Sequence, residues 1–226
     1  MKLRTILLVL SLLVFLSAST GGYLYYSSLK EAAFREANRQ SSANLDLIKK
    51  NLSAYLSENI KPVIALAGME DLLEMQIRPG DKNQRQANTI LDLYKEALEV
   101  DVCYLMNYEG TTIASSNRDA PDSFLGKNFA FRPYFQLAIH SAPATYLALG
   151  VTSKKRGVYC AFPVFGEDDS PAGVAVIKAP IDILEKEFRK AYEGTVRLTD
   201  PNGVIFMSNR DDWLYHLLSL QRQFPY

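Results

Sequence analysis

The stretch VCYLMNYEGTTIAS, residues 102–115, decides the fold class of this chain. Residues 102–106 are apolar and rich in strand formers, and residues 111–115 form a second short segment of the same kind. Between them, residues 107–110 end in glycine and have the composition of a tight turn. The stretch therefore predicts a β-hairpin, and it marks a change from helical patterns before Val100 to strand patterns after it.

Three further segments downstream of the hairpin predict β-strands, at residues 144–149, 157–165 and 172–178. Short helices are predicted at residues 131–140 and 181–191. Together with a long leading helix, five strands in mostly antiparallel order indicate an α+β fold of the PAS-like type with a five-stranded antiparallel sheet. We expect this sensor-like module to occupy residues 76–192.

A second, incomplete PAS-like module is predicted to begin near Glu193 and to occupy residues 193–226. The segments 195–199 and 204–208 flank Asp200-Pro201-Asn202-Gly203, which is strong turn chemistry. This arrangement of strand, turn ending in glycine, and strand repeats that of the first hairpin. Too few residues follow to complete a second module, so we expect a fragment or a truncated gene product.

The amino-terminal segment predicts a membrane anchor at residues 1–29. No charged residue occurs from Thr5 through Leu29, a stretch long enough to span a bilayer as a helix. The alternative is a cleaved signal peptide, because small residues at 17–19 follow the apolar core and resemble a cleavage site. Both interpretations export the rest of the chain.

A long helix is predicted over residues 30–75, followed by an amphipathic helix over residues 83–99. Pro62 is expected to end or kink the long helix. Before it, apolar residues recur at helical spacing and form one stripe, made of Leu45, Ile48, Leu52, Tyr55, Leu56 and Ile60. The stripe suggests that two chains pair as a homodimer through this helix.

Composition argues against several functions. The 226 residues include 25 basic and 25 acidic side chains, so no overall charge draws the chain to nucleic acid. Cys103 and Cys160 lie in apolar runs and are expected to be buried strand residues rather than a disulfide or a metal pair. With only two histidines and no known catalytic motif, no enzyme activity, cofactor or metal site is expected.

A ligand-binding constellation is indicated by two cationic residues and a polar loop. Arg132 precedes a proline, which biases its backbone to an extended conformation at the start of a short helix. Lys178 ends an apolar strand, and a lysine shielded from water there requires an anionic partner, from a ligand or from a nearby Asp or Glu. Thr152 and Ser153 offer hydroxyl groups from a loop between strands. Surface ion pairing of Arg132, solvation of the loop and exposure of Lys178 at the strand end are the ordinary alternatives.

The order of several motifs resembles the double Cache, PAS-like periplasmic sensor region of DctB-type C4-dicarboxylate sensor histidine kinases. The motifs are FRPYF at 131–135, YLALGVTSKKRGVY at 146–159, FPVF at 162–165, GVAVIK at 173–178 and LTDPNGVIFMS at 198–208. Asp212-Trp213 follows the last of them. The resemblance covers roughly residues 100 to 215, and such kinases continue into further domains that this sequence does not show.

The resemblance implies a pocket for a small dicarboxylate such as succinate, malate or fumarate. It assigns carboxylate contacts to Arg132 and Lys178, with Tyr134, Thr152, Ser153 and Tyr159 as neighbours. It also implies a two-component receptor in the bacterial inner membrane, with a single membrane pass and a periplasmic sensor domain. Two separated cations with hydroxyl donors between them suit a short ligand with a negative charge at each end.

Two alternatives stay open on the sequence alone. A sensor of amino acids or other carboxylates, in a chemoreceptor or a diguanylate cyclase, would need an acidic residue opposite Arg132, and the matching strands offer none. A partner-binding remnant without a small ligand would need no cavity between Arg132 and Lys178.

Overall fold

The computed structural model of the chain describes residues 3–140, 142–191, 194–200 and 202–218. The predicted start of the second module at Glu193, the turn residue Pro201 and the chain beyond residue 218 lie outside these residues. The helices are α1 (Leu3–Ala67), α2 (Glu70–Ile77), α3 (Asp81–Ala97), α4 (Pro133–Ala138) and α5 (Asp182–Ala191). The strands are β1 (Val102–Asn107), β2 (Thr112–Ser115), β3 (Ala144–Leu149), β4 (Arg156–Phe165), β5 (Pro171–Pro180), β6 (Arg197–Thr199) and β7 (Ile205–Ser208), with a 3-10 helix at Asp211–Trp213.

Strands β1 to β5 form one antiparallel sheet in the order β2-β1-β5-β4-β3. This arrangement confirms the predicted α+β fold with a five-stranded antiparallel sheet. Of the two longest strands, β5 is central and β4 lies between β5 and the edge strand β3. The register of β4 and β5 places Tyr159 opposite Lys178. The register brings a residue from each of two sequence motifs to neighbouring positions.

Alternation along the strands divides the core into two layers on opposite faces of the sheet, because successive strand side chains point to opposite faces. Cys103 and Leu105 of β1 belong to the layer that packs against α2, α3 and the end of α1. Tyr104 and Met106 belong to the other layer, together with residues from the segment between β2 and β3. The even-numbered positions of β5 share this second face, so Lys178 points to the same side as Val174 and Val176.

Both cysteines are buried strand residues, as predicted. They lie in the layer that packs against α2, α3 and the end of α1, which we call the helix-covered layer. Cys103 and Cys160 are both fully buried free thiols. Burial raises the pKa of the Cys103 thiol to about 12 and that of the Cys160 thiol to about 11, because the low-polarity surroundings disfavour the thiolate.

Helix α1 continues through Pro62, so the prediction that this proline ends the helix is wrong, and a kink there stays a prediction. The helix ends at Ala67, after which Met69 has an extended backbone that precedes α2. Val63, Leu66 and Ala67 are buried against the sheet. Their packing offsets the loss of one backbone hydrogen bond at the proline, since tertiary contacts supply most helix stability in proteins.

The chain divides into two units, residues 1–50 and residues 51–226. Within the described residues, one helix, α1, is long and apolar enough to cross a membrane, with a mean hydropathy of 2.0 over its most apolar window. Further along α1, Tyr55, Leu56 and Ile60 pack against the helix-covered core layer. This part of the apolar stripe therefore packs within its own chain rather than being wholly available for a dimer contact.

Both predicted hairpins are present and share their turn chemistry. The Asn107 side chain accepts a hydrogen bond from the Thr111 amide at 2.8 Å, and the Asp200 side chain accepts one from the Val204 amide at 2.9 Å. Each turn contains a glycine at positive φ, +80° at Gly110 and +83° at Gly203. Glycine adopts this conformation without the steric cost that a Cβ would bring.

Candidate ligand site

The candidate site lies on the sheet face opposite α2 and α3, next to α4 and the loop between β3 and β4. A cavity of about 10 Å³ is lined there by four of the predicted residues, Arg132, Tyr134, Thr152 and Tyr159, and by Phe124, Phe129, Gly150 and Val151. Such a volume has room for about one water molecule. The remaining predicted residues, Ser153 and Lys178, adjoin the same loop. Four of the six predicted residues therefore line one cavity, whereas Ser153 and Lys178 are outside its lining and contact each other, with 3.4 Å between Ser153 Oγ and Lys178 Nζ.

Three tyrosines form the polar floor of the site. The Tyr104 hydroxyl donates to the Tyr134 hydroxyl at 2.8 Å, and the rings of Tyr134 and Tyr159 stack at 5.1 Å with 4° between their planes. Burial raises the pKa of Tyr134 to about 12 and also raises the pKa of Tyr104 and Tyr159. The three phenols therefore stay neutral at physiological pH and can serve as hydrogen-bond donors.

Arg132 enters the site from the start of α4. Its backbone is extended, as its position before Pro133 predicts, and the proline occupies the first turn of the helix. Its Nη2 donates to the Leu149 carbonyl at 2.9 Å, and its guanidinium lies 5.4 Å from the centre of the Phe131 ring. Among the described residues, no carboxylate forms an ion pair with Arg132. The guanidinium is thus positioned by neutral partners beside the cavity.

The loop at residues 150–155 covers the site and is packed closely upon it. Gly150 exchanges backbone hydrogen bonds within the loop, to Lys155 and from Lys154, both at 2.9 Å. A Cβ at Gly150 would come within 2.4 Å of the Ser153 Oγ and 2.9 Å of the Tyr159 hydroxyl. Only glycine allows this approach. Thr152 and Ser153 are half-buried, whereas Val151, Lys154 and Lys155 of the same loop are exposed.

Lys178 is the most deeply buried charged group of the site. Its side chain is 1% exposed, which excludes the alternative of exposure at a strand end. Its Nζ donates to Asp101 Oδ2 at 2.8 Å and lies 3.4 Å from Ser153 Oγ. A buried ammonium needs such partners because desolvation is costly. The requirement for an anion, inferred from the sequence, is met within the chain by Asp101.

Sequence reasoning missed Asp101, Tyr104, Phe124, Phe129 and Gly150. Asp101 precedes β1, far from Lys178 in sequence, and the two meet because β1 pairs antiparallel with β5. The strand pairing places Val102 opposite Lys178, so it identifies the preceding residue, Asp101, as a neighbour of Lys178. The aromatic residues carried no signal that separates a cavity wall from ordinary core.

Within the described residues, the two histidines and the acidic loop residues do not gather into a site. His140 and His216 are exposed. Asp168 bonds its own loop through Ser170, and Asp211 pairs with Arg189. Within the described residues, no group of three or more His, Cys, Asp or Glu side chains is placed to hold a metal ion.

The Cache domain family model matches residues 26–224. The chain is 36% identical over 193 residues to the C4-dicarboxylate transport sensor protein DctB of Pseudomonas aeruginosa. The matched region covers 85% of this chain but only 30% of that protein. Among solved structures, the sensor domain of the V. cholerae histidine kinase DctB matches with a TM-score of 0.74 and 30% identity, over 79% of this chain and 69% of that one.

A more distant likeness shows the fold alone. The ligand-binding domain of the Campylobacter jejuni chemoreceptor Tlp3, solved with 4-methylisoleucine, matches with a TM-score of 0.61 and 16% identity, over 79% of this chain and 71% of that one. The sheet order, the long leading helix and the sequence matches agree with one another. The chain belongs to the Cache domain family and is a sensor domain of the kind found in DctB sensor histidine kinases.

Proposed function

We propose that this chain senses a small C4-dicarboxylate, such as succinate, malate or fumarate, on the outer side of the bacterial inner membrane. The observation that carries the proposal is that two cations adjoin one loop. Arg132 Nη2 donates to the Leu149 carbonyl at the start of the loop, and Lys178 Nζ lies 3.4 Å from Ser153 Oγ within it. The cavity beside Arg132 is lined in part by the hydroxyl-bearing residues Tyr134, Thr152 and Tyr159.

The charges and donors fit a ligand with two acidic ends. Arg132 can grip one carboxylate with two parallel hydrogen bonds, and Lys178 supplies a second positive charge. Thr152, Ser153 and the tyrosine hydroxyls provide neutral donors for the same oxygens. The Lys178 ammonium, which is 1% exposed, interacts with a carboxylate more strongly than it would in water.

Binding requires the loop at residues 150–155 to move, because the cavity of about 10 Å³ does not accommodate a four-carbon diacid. The ligand then favours a rearranged loop and shifts the conformational equilibrium by the difference in its affinity for the two arrangements. A hydrogen bond connects β5 to α1: the Tyr55 hydroxyl of α1 donates to the carbonyl of Pro180, two residues after Lys178. We infer that the signal leaves through α1 toward the membrane, in a homodimer.

The test is thermal unfolding of the full chain in detergent micelles, with a panel of dicarboxylates, monocarboxylates and amino acids. A bound ligand at about one hundred times its Kd adds about 2.7 kcal/mol to the free energy of unfolding. We expect a C4-dicarboxylate to raise the unfolding midpoint and Arg132→Ala to abolish the rise. Arg78→Ala is the matched control, because that side chain follows α2, is 75% exposed and lies outside the site.

A second candidate, an amino-acid sensor, gains support from one observation. The matching strands offer no acidic residue, but Asp101, just before β1, supplies one beside Lys178. Asp101 could bind an ammonium group only by giving up Lys178. An amino acid that raises the unfolding midpoint when no dicarboxylate does would establish this candidate. If no member of the panel acts on the folded chain, a partner-binding role replaces both.

A further inference from the structure

The Asp101–Lys178 ion pair has a geometry that bears on ligand binding and not only on stability. Lys178 is 1% exposed and fixed within β5, whereas the Asp101 side chain is 30% exposed at the edge of the site. The Asp101 amide donates to the Lys178 carbonyl at 3.0 Å, so the backbone of Asp101 is held in place. Rotation of the Asp101 side chain alone is therefore enough to make or break the ion pair.

The Asp101 carboxylate also has a second environment available. It borders a separate cleft of about 410 Å³ that is lined by Lys154, Lys155 and Arg156, with Asp182 at its edge. A carboxylate that turns away from Lys178 into this cleft meets water and positive charge. The cost of leaving Lys178 is thereby reduced, since a charge moved toward solvent regains its hydration.

We propose that Asp101 is a specificity-determining residue that competes with the ligand for Lys178. Resting on the proposed function, this inference says that the second carboxylate of a dicarboxylate takes the place of Asp101 on the Lys178 ammonium. A ligand with one negative charge satisfies Arg132 and leaves the Asp101–Lys178 pair intact. Asp101 therefore lowers the affinity for dicarboxylates and makes release of Lys178 conditional on a second acidic group.

The experiment compares the full chain in detergent with its Asp101→Asn variant by calorimetric titration. Asparagine keeps the size of the side chain and an acceptor oxygen for Lys178 but removes the competing charge. We expect the Kd for succinate to fall about tenfold, a change of about 1.4 kcal/mol. For monomethyl succinate, which has the same four-carbon backbone but only one charge, we expect a smaller change.

Asp182→Asn is the matched control. It removes one negative charge at the same cleft, but its carboxylate pairs with exposed Lys186 and does not contact Lys178. We expect its Kd for succinate to equal that of the unaltered chain. A gain of similar size in both variants would mean that the general charge of the cleft, not competition at Lys178, sets the affinity, and would overturn the proposal.

The remaining outcomes separate this inference from the proposed function. If the unaltered chain binds succinate and Asp101→Asn binds it equally or more weakly, Asp101 is no competitor, and the dicarboxylate function stands. If neither protein binds any dicarboxylate, both proposals fail. Should the variant not fold, a structure of the unaltered chain with succinate decides: an Asp101 carboxylate still hydrogen-bonded to Lys178 refutes the competition.

Discussion

Individual buried polar side chains carry much of the chemistry of the candidate site. Tyr104 is fully buried, and its hydroxyl has one described partner, the Tyr134 hydroxyl. A buried donor that loses its acceptor costs more than the hydrogen bond contributes, because it cannot return to water. Pairs of this kind are best tested by removing each member and then both.

The tyrosine pair predicts a strongly non-additive result. Tyr134→Phe leaves the Tyr104 hydroxyl buried without its partner and should lower the free energy of unfolding by about 1–3 kcal/mol. Adding Tyr104→Phe should recover part of this loss, since no orphaned hydroxyl then remains. Chemical unfolding of the single and double variants measures the coupling. Tyr146→Phe, at a 37% exposed position, is the control, and strictly additive losses would contradict the pairing.

The buried cysteine thiols and tyrosine hydroxyls predict that the folded protein loses stability at alkaline pH. The pKa values of Cys103 and Tyr134 rise to about 12 and that of Cys160 to about 11, while the unfolded chain ionises near 9 for cysteine and 10 for tyrosine. Above pH 9 the folded state keeps protons that the unfolded state has lost. Stability is therefore fully present below pH 9 and falls between pH 9 and 12, by up to about 1.4 kcal/mol per group and pH unit.

Denaturant unfolding at several pH values between 8 and 11 measures this decline. Cys160→Ala removes one of the contributing groups, so its curve should be flatter between pH 9 and 11. A stability that stays level across this range in the unaltered chain would mean that these groups ionise as readily in the folded protein as in the unfolded one.

At the scale of elements, Arg156 joins three of them. It begins β4, directly after the loop of the candidate site, and its Nη2 donates to Glu185 of α5 at 3.0 Å. Its Nη1 donates to the Phe206 carbonyl of β7 at 2.7 Å. The side chains of Arg156 and Glu185 are 14% and 7% exposed. The second hairpin is thus attached to the first module next to the proposed ligand loop.

Removing one member of this buried pair should cost more than removing both. Arg156→Met leaves the Glu185 carboxylate buried without a partner, and we expect a loss of about 3–5 kcal/mol in the free energy of unfolding. Arg156→Met combined with Glu185→Leu should be more stable than Arg156→Met alone. Thermal unfolding of Arg156→Met, Glu185→Leu and the double variant provides the comparison. A loss in the double variant equal to the sum of the two single losses would show that the two charges do not interact.

At the scale of the whole molecule, the first residues of α1 decide where the protein resides. The helix carries a window of mean hydropathy 2.0 near its amino terminus, and its apolar side chains there are exposed. An exposed apolar helix of this length is stable in a bilayer, where its backbone hydrogen bonds are satisfied internally. The cleaved-signal alternative predicts a shortened, released protein instead.

We expect the chain produced in a bacterium to stay with the membrane pellet after alkaline carbonate washing and to keep the mass of the uncleaved sequence. Leu10→Arg combined with Val14→Arg should weaken this retention, because each charge near the centre of a spanning helix costs about 2.5–3.5 kcal/mol. A washed-off protein that lacks residues up to about position 19 would instead establish a cleaved signal peptide.

Several features of this protein follow from its sequence alone, because they depend on neighbouring residues. Alternation and turn composition are local properties, and they predicted both hairpins, the remaining strands and the α+β class. The extended conformation of Arg132 follows from the proline beside it, and the burial of both cysteines follows from their apolar runs. The motif order predicted the sensor family, which the comparisons confirm.

Other features were decided only by the tertiary structure, because they depend on contacts between distant segments. Pro62 stays within α1 because residues after it pack against the sheet. Asp101 reaches Lys178 only through the pairing of β1 with β5. A strand pattern shows that Lys178 needs an anion, but long-range strand pairing decides which anion it finds, and that pairing arises from the packing of the whole sheet rather than from either local sequence.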